Sequence, residues 1–229
     1  MEVKCEIYKA VPEDEGKGDF VSHTIVMEPS DTVLDLLTVI YQQYDPTLSF
    51  RYACGVVRCG ECAMLVNGKP CMACDKAVEP VIRIEPLPRL PLIKDVVIDR
   101  RFVFDHIRRI LPPASDVENI LEQFESFDDE TAHVMIENSI RLTTCFECLI
   151  CQSSCPRYHW KSDRFPGPFG LLLLAQMKEN PAQSPISDEV LEEMTADCLR
   201  CGKCVQCCPA DKRPLELGLS ILNLSPRNV

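Results

Sequence analysis

Cys198, Cys201, Cys204 and Cys208 stand at C-x2-C-x2-C-x3-C with Pro209 behind them. Cys145, Cys148, Cys151 and Cys155 repeat that spacing, with Pro156 behind. Thiolates at this spacing hold cubane 4Fe–4S clusters. Three thiolates on one tight loop can face three corners of a cube, and the fourth corner faces away from that loop. A second segment must supply it, so two such runs exchange their last cysteine. The rule assigns Cys145, Cys148, Cys151 and Cys208 to one cluster, and Cys155, Cys198, Cys201 and Cys204 to the other. A third pattern lies nearer the start. Cys54-x4-Cys59-x2-Cys62, with Cys74 after eleven further residues, is the spacing that holds a 2Fe–2S cluster. Zinc is the alternative metal there. Structural zinc sites favour two short C-x2-C pairs, and an x4 gap with one distant cysteine fits that poorly.

The cysteine count is itself informative. Fifteen cysteines in 229 residues raise the question of disulfides, which belong to oxidising compartments. Here the cysteines cluster at ligand spacings, and the opening residues alternate like a strand instead of showing a basic start and an apolar core. A reducing, cytoplasmic setting is expected. Cys5, Cys71 and Cys207 remain outside the three patterns and read as buried structural cysteines.

The elements that must position these loops follow from periodicity. Val3, Cys5 and Ile7 alternate with charged residues, as in a strand. Residues 12–18 read as a loop and 23–27 as a second strand. Ser30, Asp31 and Thr32 offer helix caps before Val33, Leu36, Leu37, Ile40 and Tyr41, an apolar helical face. Gly55 and Gly60 suit a loop that must wrap closely and leave backbone N–H groups facing sulfur. Residues 64–66, the Asn67-Gly68 turn and residues 81–85 supply further strand. Pro86, Pro88 and Pro91 make a stiff exit, and the composition turns helical over residues 95–112.

Beyond that point, helices are expected at 116–124 and 129–142. A break at Pro166-Gly167-Pro168 precedes the helix at 169–178, and a loop at 181–185 follows it. Ser187 caps a helix through Met194, and Pro214 opens the last helix, to about Leu222. The expected fold is α+β. Residues 1–104 form a β-grasp domain of the plant-type ferredoxin kind, and residues 105–229 an all-helical, bacterial-type ferredoxin domain with two clusters.

Charge and motifs narrow the function. A formal charge of −11 disfavours nucleic acid and unaided binding to anionic lipid. Arg100-Arg101 and Arg108-Arg109 are local exceptions and read as salt-bridge or rim residues. No apolar run approaches the roughly 20 residues of a membrane span. The four histidines lie apart, and the chain has no P-loop, no G-x-G-x-x-G and no Ser/His/Asp constellation. No catalytic residue is expected. Tyr158, His159 and Trp160 form an aromatic run that suits either packing over a cluster or contact with a quinone or redox partner.

The order of the motifs resembles the iron–sulfur subunit of the succinate dehydrogenase/fumarate reductase family. The likeness covers nearly the whole chain. It includes Asp45-Pro-Thr-Leu-Ser-Phe-Arg51, Asn67-Gly-Lys69, Pro86-Leu-Pro-Arg-Leu-Pro-Leu-Ile-Lys-Asp95 and Phe165-Pro-Gly-Pro-Phe-Gly170. The resemblance implies an electron wire through 2Fe–2S, a middle cluster and a distal cluster. Its partners would be a flavoprotein subunit carrying FAD and either a membrane anchor with quinone or a soluble thiol/disulfide subunit. The location would be cytoplasmic or peripheral on the cytoplasmic face of the inner membrane. A free-standing multi-cluster ferredoxin serving another flavoprotein is the alternative.

Two positions depart from the common members. These carry a distal 3Fe–4S cluster because the position matching Cys201 is not cysteine, so Cys201 implies 4Fe–4S here. Some quinone-reducing relatives place a histidine where this chain has Leu199, although Trp160 matches a family aromatic near the quinone.

Overall fold

The computed structural model describes residues 1–11, 17–112, 129–161, 164–180, 186–211 and 213–226. The chain divides into two compact units. One is Met1–Val103 together with Phe146–Ser154, and the other is Phe104–Cys145 together with Cys155–Val229. The expected halves were contiguous. These units are not, because the short segment bearing Cys148 and Cys151 groups with the N-terminal strands.

The first unit is built on a five-stranded sheet. Strand β1 (Glu2–Lys9) buries Val3, Cys5 and Ile7 on one face, the alternation its sequence carries. It pairs antiparallel with β2 (Asp19–Val26) and parallel with β5 (Val81–Glu85). Strands β3 (Ala63–Val66) and β4 (Lys69–Met72) complete the order β2-β1-β5-β3-β4. The β3–β4 turn has Asn67 and Gly68 at φ 49° and 73°. Both are left-handed, as a tight hairpin needs. The Asn67 side chain ties the tip to β5, accepting from Arg83 N–H at 2.8 Å and donating to Val81 O at 3.1 Å. The expected loop at 12–18 lies mostly outside the described residues.

Helix α1 (Val33–Gln43) starts at Thr32, whose hydroxyl accepts from Asp35 N–H while the Asp35 carboxylate accepts from Thr32 N–H. This reciprocal cap satisfies two backbone donors. The helix buries Val33, Leu34, Leu36, Leu37 and Ile40. Such side chains contribute roughly 1.5–3 kcal/mol each when fully buried. Tyr41, expected on that face, is 45% exposed instead. It sits at the edge of the face, where its ring meets Phe50 edge-on at 6.1 Å.

A two-stranded hairpin, β6 (Leu92–Lys94) and β7 (Val97–Ile98), follows the proline run where only a stiff exit was expected. Its turn residue Asp95 is 1% exposed. The Asp95 carboxylate accepts from Ala10 N–H at 3.1 Å and Ser49 N–H at 2.8 Å, with Lys9 Nζ 3.3 Å away. A buried carboxylate is tolerable only when so paired. The result joins β1, the hairpin and the 45–51 loop that leads into Cys54. Helix α2 (Arg100–Ile110) is capped by Asp99, and the division between the units falls within it.

In the second unit, α3 (Asp129–Leu142), α5 (Gly167–Lys178) and α8 (Arg213–Ile221) enclose Leu142, Phe169, Leu172, Leu174, Leu215 and Leu219. An added Cβ on Gly218 would meet Leu172 at 3.1 Å and Ala175 at 3.4 Å, so glycine permits close helix packing there. Helix α5 begins at Gly167, two residues before the expected start, because Pro168 suits a first turn where no N–H is needed. Helix α6 (Asp188–Thr195) is capped by Ser187 as expected. Two short helices carry the third cysteine of each twin motif, α4 (Ile150–Ser154) in the first unit and α7 (Lys203–Gln206) in the second. The expected helix at 116–124 and loop at 181–185 lie outside the described residues.

Candidate metal centres

The loop over Arg51–Cys62 turns its backbone toward sulfur. The N–H groups of Val56, Arg58 and Cys59 point at Cys54 Sγ from 3.4, 3.3 and 3.3 Å. These three donors favour the thiolate and hold Cys54 at about 6, below the usual thiol value. Gly55 (φ 67°), Val57 (φ 55°) and Gly60 (φ 72°) give the chain the left-handed turns that aim those groups. A β-branched residue rarely adopts this conformation, so Val57 is held there by the loop. Cys62 is 2% exposed, and burial pushes its thiol up to about 12. Cys62 interacts electrostatically with both Cys59 and Cys74. Cys74 is fixed by a turn in which Ala73 N–H donates to Cys62 O and Ala73 O accepts from Leu34 N–H at the start of α1. The donor set fits a sulfur-bridged iron centre. Thiols buried together are costly to ionise alone, and a cation removes that cost.

The twin motifs share a backbone. The residues on either side of the second cysteine are left-handed in both: Glu147 (φ 53°) and Leu149 (φ 62°) around Cys148, and Arg200 (φ 53°) and Gly202 (φ 72°) around Cys201. In both, the following short helix carries the third cysteine. Their surroundings differ. Cys148 and Cys151 are buried, whereas Cys201 is exposed.

The structure brings Cys155, Cys198, Cys201 and Cys204 to the wall of one small cavity, lined on its apolar side by Phe165, Pro168, Leu171, Leu219 and Leu224. Burial pushes Cys204 up to about 12, and Cys155 and Cys198 add to the shift. Cys155 is raised by burial as well, with Cys198 and Cys201 contributing. Thiols raised by burial and by neighbouring thiols, as Cys155 and Cys204 are, suit a polycationic iron core. Cys145 and Cys208 are half-buried.

Of the other cysteines, Cys5 is buried in β1 and Cys71 half-buried in β4, with thiols pushed up by burial to about 12 and about 11. Cys207 Sγ lies 3.4 Å from the carbonyl of Cys204. The aromatic run does not form one surface. Tyr158 is 1% exposed, and its N–H donates to Cys155 O at 3.3 Å. For Tyr158 this burial favours the packing reading. His159 and Trp160 stack at 5.9 Å, with Lys161 Nζ 5.1 Å from the indole centre. Leu199 is 57% exposed beside Cys198.

Three residues near the loops carry no motif signal: Arg100, Glu61 and Arg89. Arg100 is 9% exposed and donates to the Glu61 carboxylate and, at 2.8 Å, to Glu147 O. Arg89 donates to Ser153 O at 2.9 Å. The two arginines hold both ends of Phe146–Ser154. The paired basic residues at 100–101 signalled a salt bridge, but nothing local revealed its partner.

Comparisons with known proteins agree with this architecture. Residues 4–105 match a 2Fe-2S iron-sulfur cluster binding domain, and residues 141–211 match a 4Fe-4S dicluster domain. These define an iron–sulfur protein in which one 2Fe–2S domain precedes a paired-cluster domain. The chain is 28% identical to a subunit of the CoM/CoB fumarate reductase of Methanothermobacter marburgensis, over 91% of this chain and 41% of that one. It is 28% identical to the mitochondrial succinate dehydrogenase (ubiquinone) iron-sulfur subunit of Dictyostelium discoideum, over 97% of this chain and 81% of that one. A chain of the Mycobacterium smegmatis Sdh1 complex in the apo form has the same fold, with a TM-score of 0.81 at 21% identity over 97% and 94% of the two chains. Over most of its length the chain is similar to iron–sulfur subunits of succinate dehydrogenases and fumarate reductases. It spans less than half the length of the methanogen relatives it matches.

Proposed function

We propose that this chain is the electron-transfer subunit of a succinate dehydrogenase/fumarate reductase-like complex. The single observation that carries the reading is the gathering of Cys155, Cys198, Cys201 and Cys204 at one cavity, within a chain whose other motif has its backbone N–H groups turned on Cys54. The ligand sets are Cys54, Cys59, Cys62 and Cys74 for 2Fe–2S, Cys145, Cys148, Cys151 and Cys208 for the middle 4Fe–4S, and Cys155, Cys198, Cys201 and Cys204 for the distal 4Fe–4S. The middle set rests on the motif rule. The finer fold is a plant-type β-grasp domain followed by a bacterial-type helical two-cluster domain, divided near residue 104.

Bound clusters would supply one-electron redox chemistry, and the chain sets its conditions. Its thiolates anchor the iron. Backbone N–H groups in the first loop stabilise negative charge on sulfur and so ease reduction. The apolar wall of Phe165, Leu171, Leu219 and Leu224 excludes water from one side of the distal site. No side chain need exchange a proton. Partners are a flavoprotein subunit carrying FAD and, at the far end, a membrane anchor or a soluble thiol/disulfide subunit. Among the described residues no helix is long and apolar enough to cross a membrane, which fits a peripheral position on the cytoplasmic face.

Anaerobic purification should give about ten iron atoms per chain and no zinc. EPR of the oxidised protein should lack a full-occupancy 3Fe–4S signal, and Cys201→Ser should create one. A stoichiometric 3Fe–4S signal in the wild type sinks the distal assignment. Isolation of the complex without a flavoprotein would sink the functional reading.

A further inference from the structure

The sharpest contact between two cysteine loops lies inside the first unit. A Cβ on Gly60 would stand 2.2 Å from Phe146 O and 3.0 Å from Cys148 N and Cα. The backbone between Cys59 and Cys62 therefore lies against the backbone that presents Cys148, with no side chain between them. Arg100 closes the same junction. Its guanidinium donates to Glu61, the residue before Cys62, and to the carbonyl of Glu147, the residue before Cys148.

The charges of this pair are placed unequally. The Arg100 side chain is 10% exposed and the Glu61 side chain 33%. A guanidinium stays protonated at any working pH. Buried charge is screened less than charge that meets water, so the field inside the junction is dominated by Arg100. A reduced cluster carries one more negative charge than an oxidised one. A cation held against both ligand loops stabilises the reduced form of each.

We propose that Arg100 is a positioning residue that sets the potentials of the first two clusters together: it clamps Glu61 to Glu147 O and holds one positive charge against both ligand loops. Glu61 is its counterweight, trimming that charge from the solvent side. This inference rests on the cluster reading above. Each reduction adds one electron to a cluster, supplied in the test by dithionite, and breaks no bond.

The test is an EPR-monitored redox titration of the full chain, purified anaerobically, as wild type, Arg100→Gln, Arg100→Lys, Glu61→Gln and the Arg100→Gln/Glu61→Gln double variant. Arg100→Gln should lower both midpoints, by about tenfold in the reduced-to-oxidised ratio at fixed ambient potential, or about 59 mV for one electron. Glu61→Gln should raise both. Arg100→Lys and the double variant should stay within about threefold of wild type in that ratio, a range set by the retained or cancelled charge. The distal cluster should not move in any of them. A purely structural role would instead reduce cluster content in every variant or shift midpoints in one common direction, and either result overturns the inference. So do unchanged midpoints in both single variants. Where Arg100→Gln loses its clusters, Glu61→Gln decides alone: a rise supports the inference and no change overturns it. Absence of any cluster signal in the wild type overturns the cluster reading, and the inference with it.

Discussion

The loops at 145–155 and 198–208 have one spacing and one backbone, yet opposite surroundings. Both reverse direction through left-handed residues beside the second cysteine. In the first loop one of those residues is Leu149, 1% exposed, and in the second it is Gly202. The first loop is fastened by Arg89 and Arg100 and pressed against Gly60. The second leaves Cys201 and Leu199 at the surface. Two kinds of information separate here. Ligand spacing dictates the turn, because three thiols must converge within a few residues. What covers the turn is decided elsewhere. Under the proposed function, a covered loop suits a relay inside the chain and an uncovered one an electron exit.

The contrast breaks most visibly at the glycines. Gly60→Ala should destabilise the cluster-free chain by about 3 kcal/mol, the left-handed penalty plus a clash with a backbone carbonyl. Gly202→Ala, whose Cβ would meet only Pro226 at 3.2 Å, should cost about 1–2 kcal/mol. Urea midpoints measure both, and equal losses would erase the distinction between the loops.

Thiol chemistry gives the next largest effect. In the cluster-free protein, iodoacetamide should modify Cys201 more than roughly tenfold faster than Cys148, because reagent must reach the sulfur. Peptide mapping of a time course reads this ratio. Comparable rates would mean that the first loop is not covered in solution.

Arg89→Ala should cost about 1 kcal/mol, since water can replace part of an exposed arginine's bond. Hydrogen exchange should quicken across Phe146–Ser154 and stay unchanged across residues 198–208. Equal changes in both segments would contradict the local anchoring of the first.

The smallest effect is acid sensitivity. Burial alone would raise the Asp45 carboxyl, but bonds from Lys9 and Thr47 outweigh it and hold the group at about 2. The unfolded value is 3.8. The lowered group therefore stabilises the fold above pH 3.8, and the contribution fades as pH falls toward about 2. Its size is modest because the pair lies near solvent. Asp45→Asn should flatten this part of the pH–stability curve for the first unit.

Much of the chain was legible locally. Alternation announced β1, the capping run Ser30-Asp31-Thr32 announced α1, and Asn67-Gly68 announced a hairpin. The β6–β7 hairpin was hidden because its turn depends on Asp95, whose partners Ala10 and Ser49 are remote in sequence. For Tyr158 the sequence left packing and partner contact both open, for the same reason. An aromatic run has no periodicity to say which ring turns inward.

By itself, the sequence determined which sulfurs belong to which motif, the left-handed freedom needed at Gly55 and Gly60, and the order of strand, loop and helix. These are short-range matters, settled by spacing, sterics and capping within a few residues. Only the tertiary structure decided that Phe146–Ser154 joins the N-terminal strands, that Arg100 spans Glu61 and Glu147, and that one twin loop is buried while the other meets solvent. Burial is a property of contacts between residues far apart in the chain, and no local pattern encodes the approach of Phe146 to Gly60.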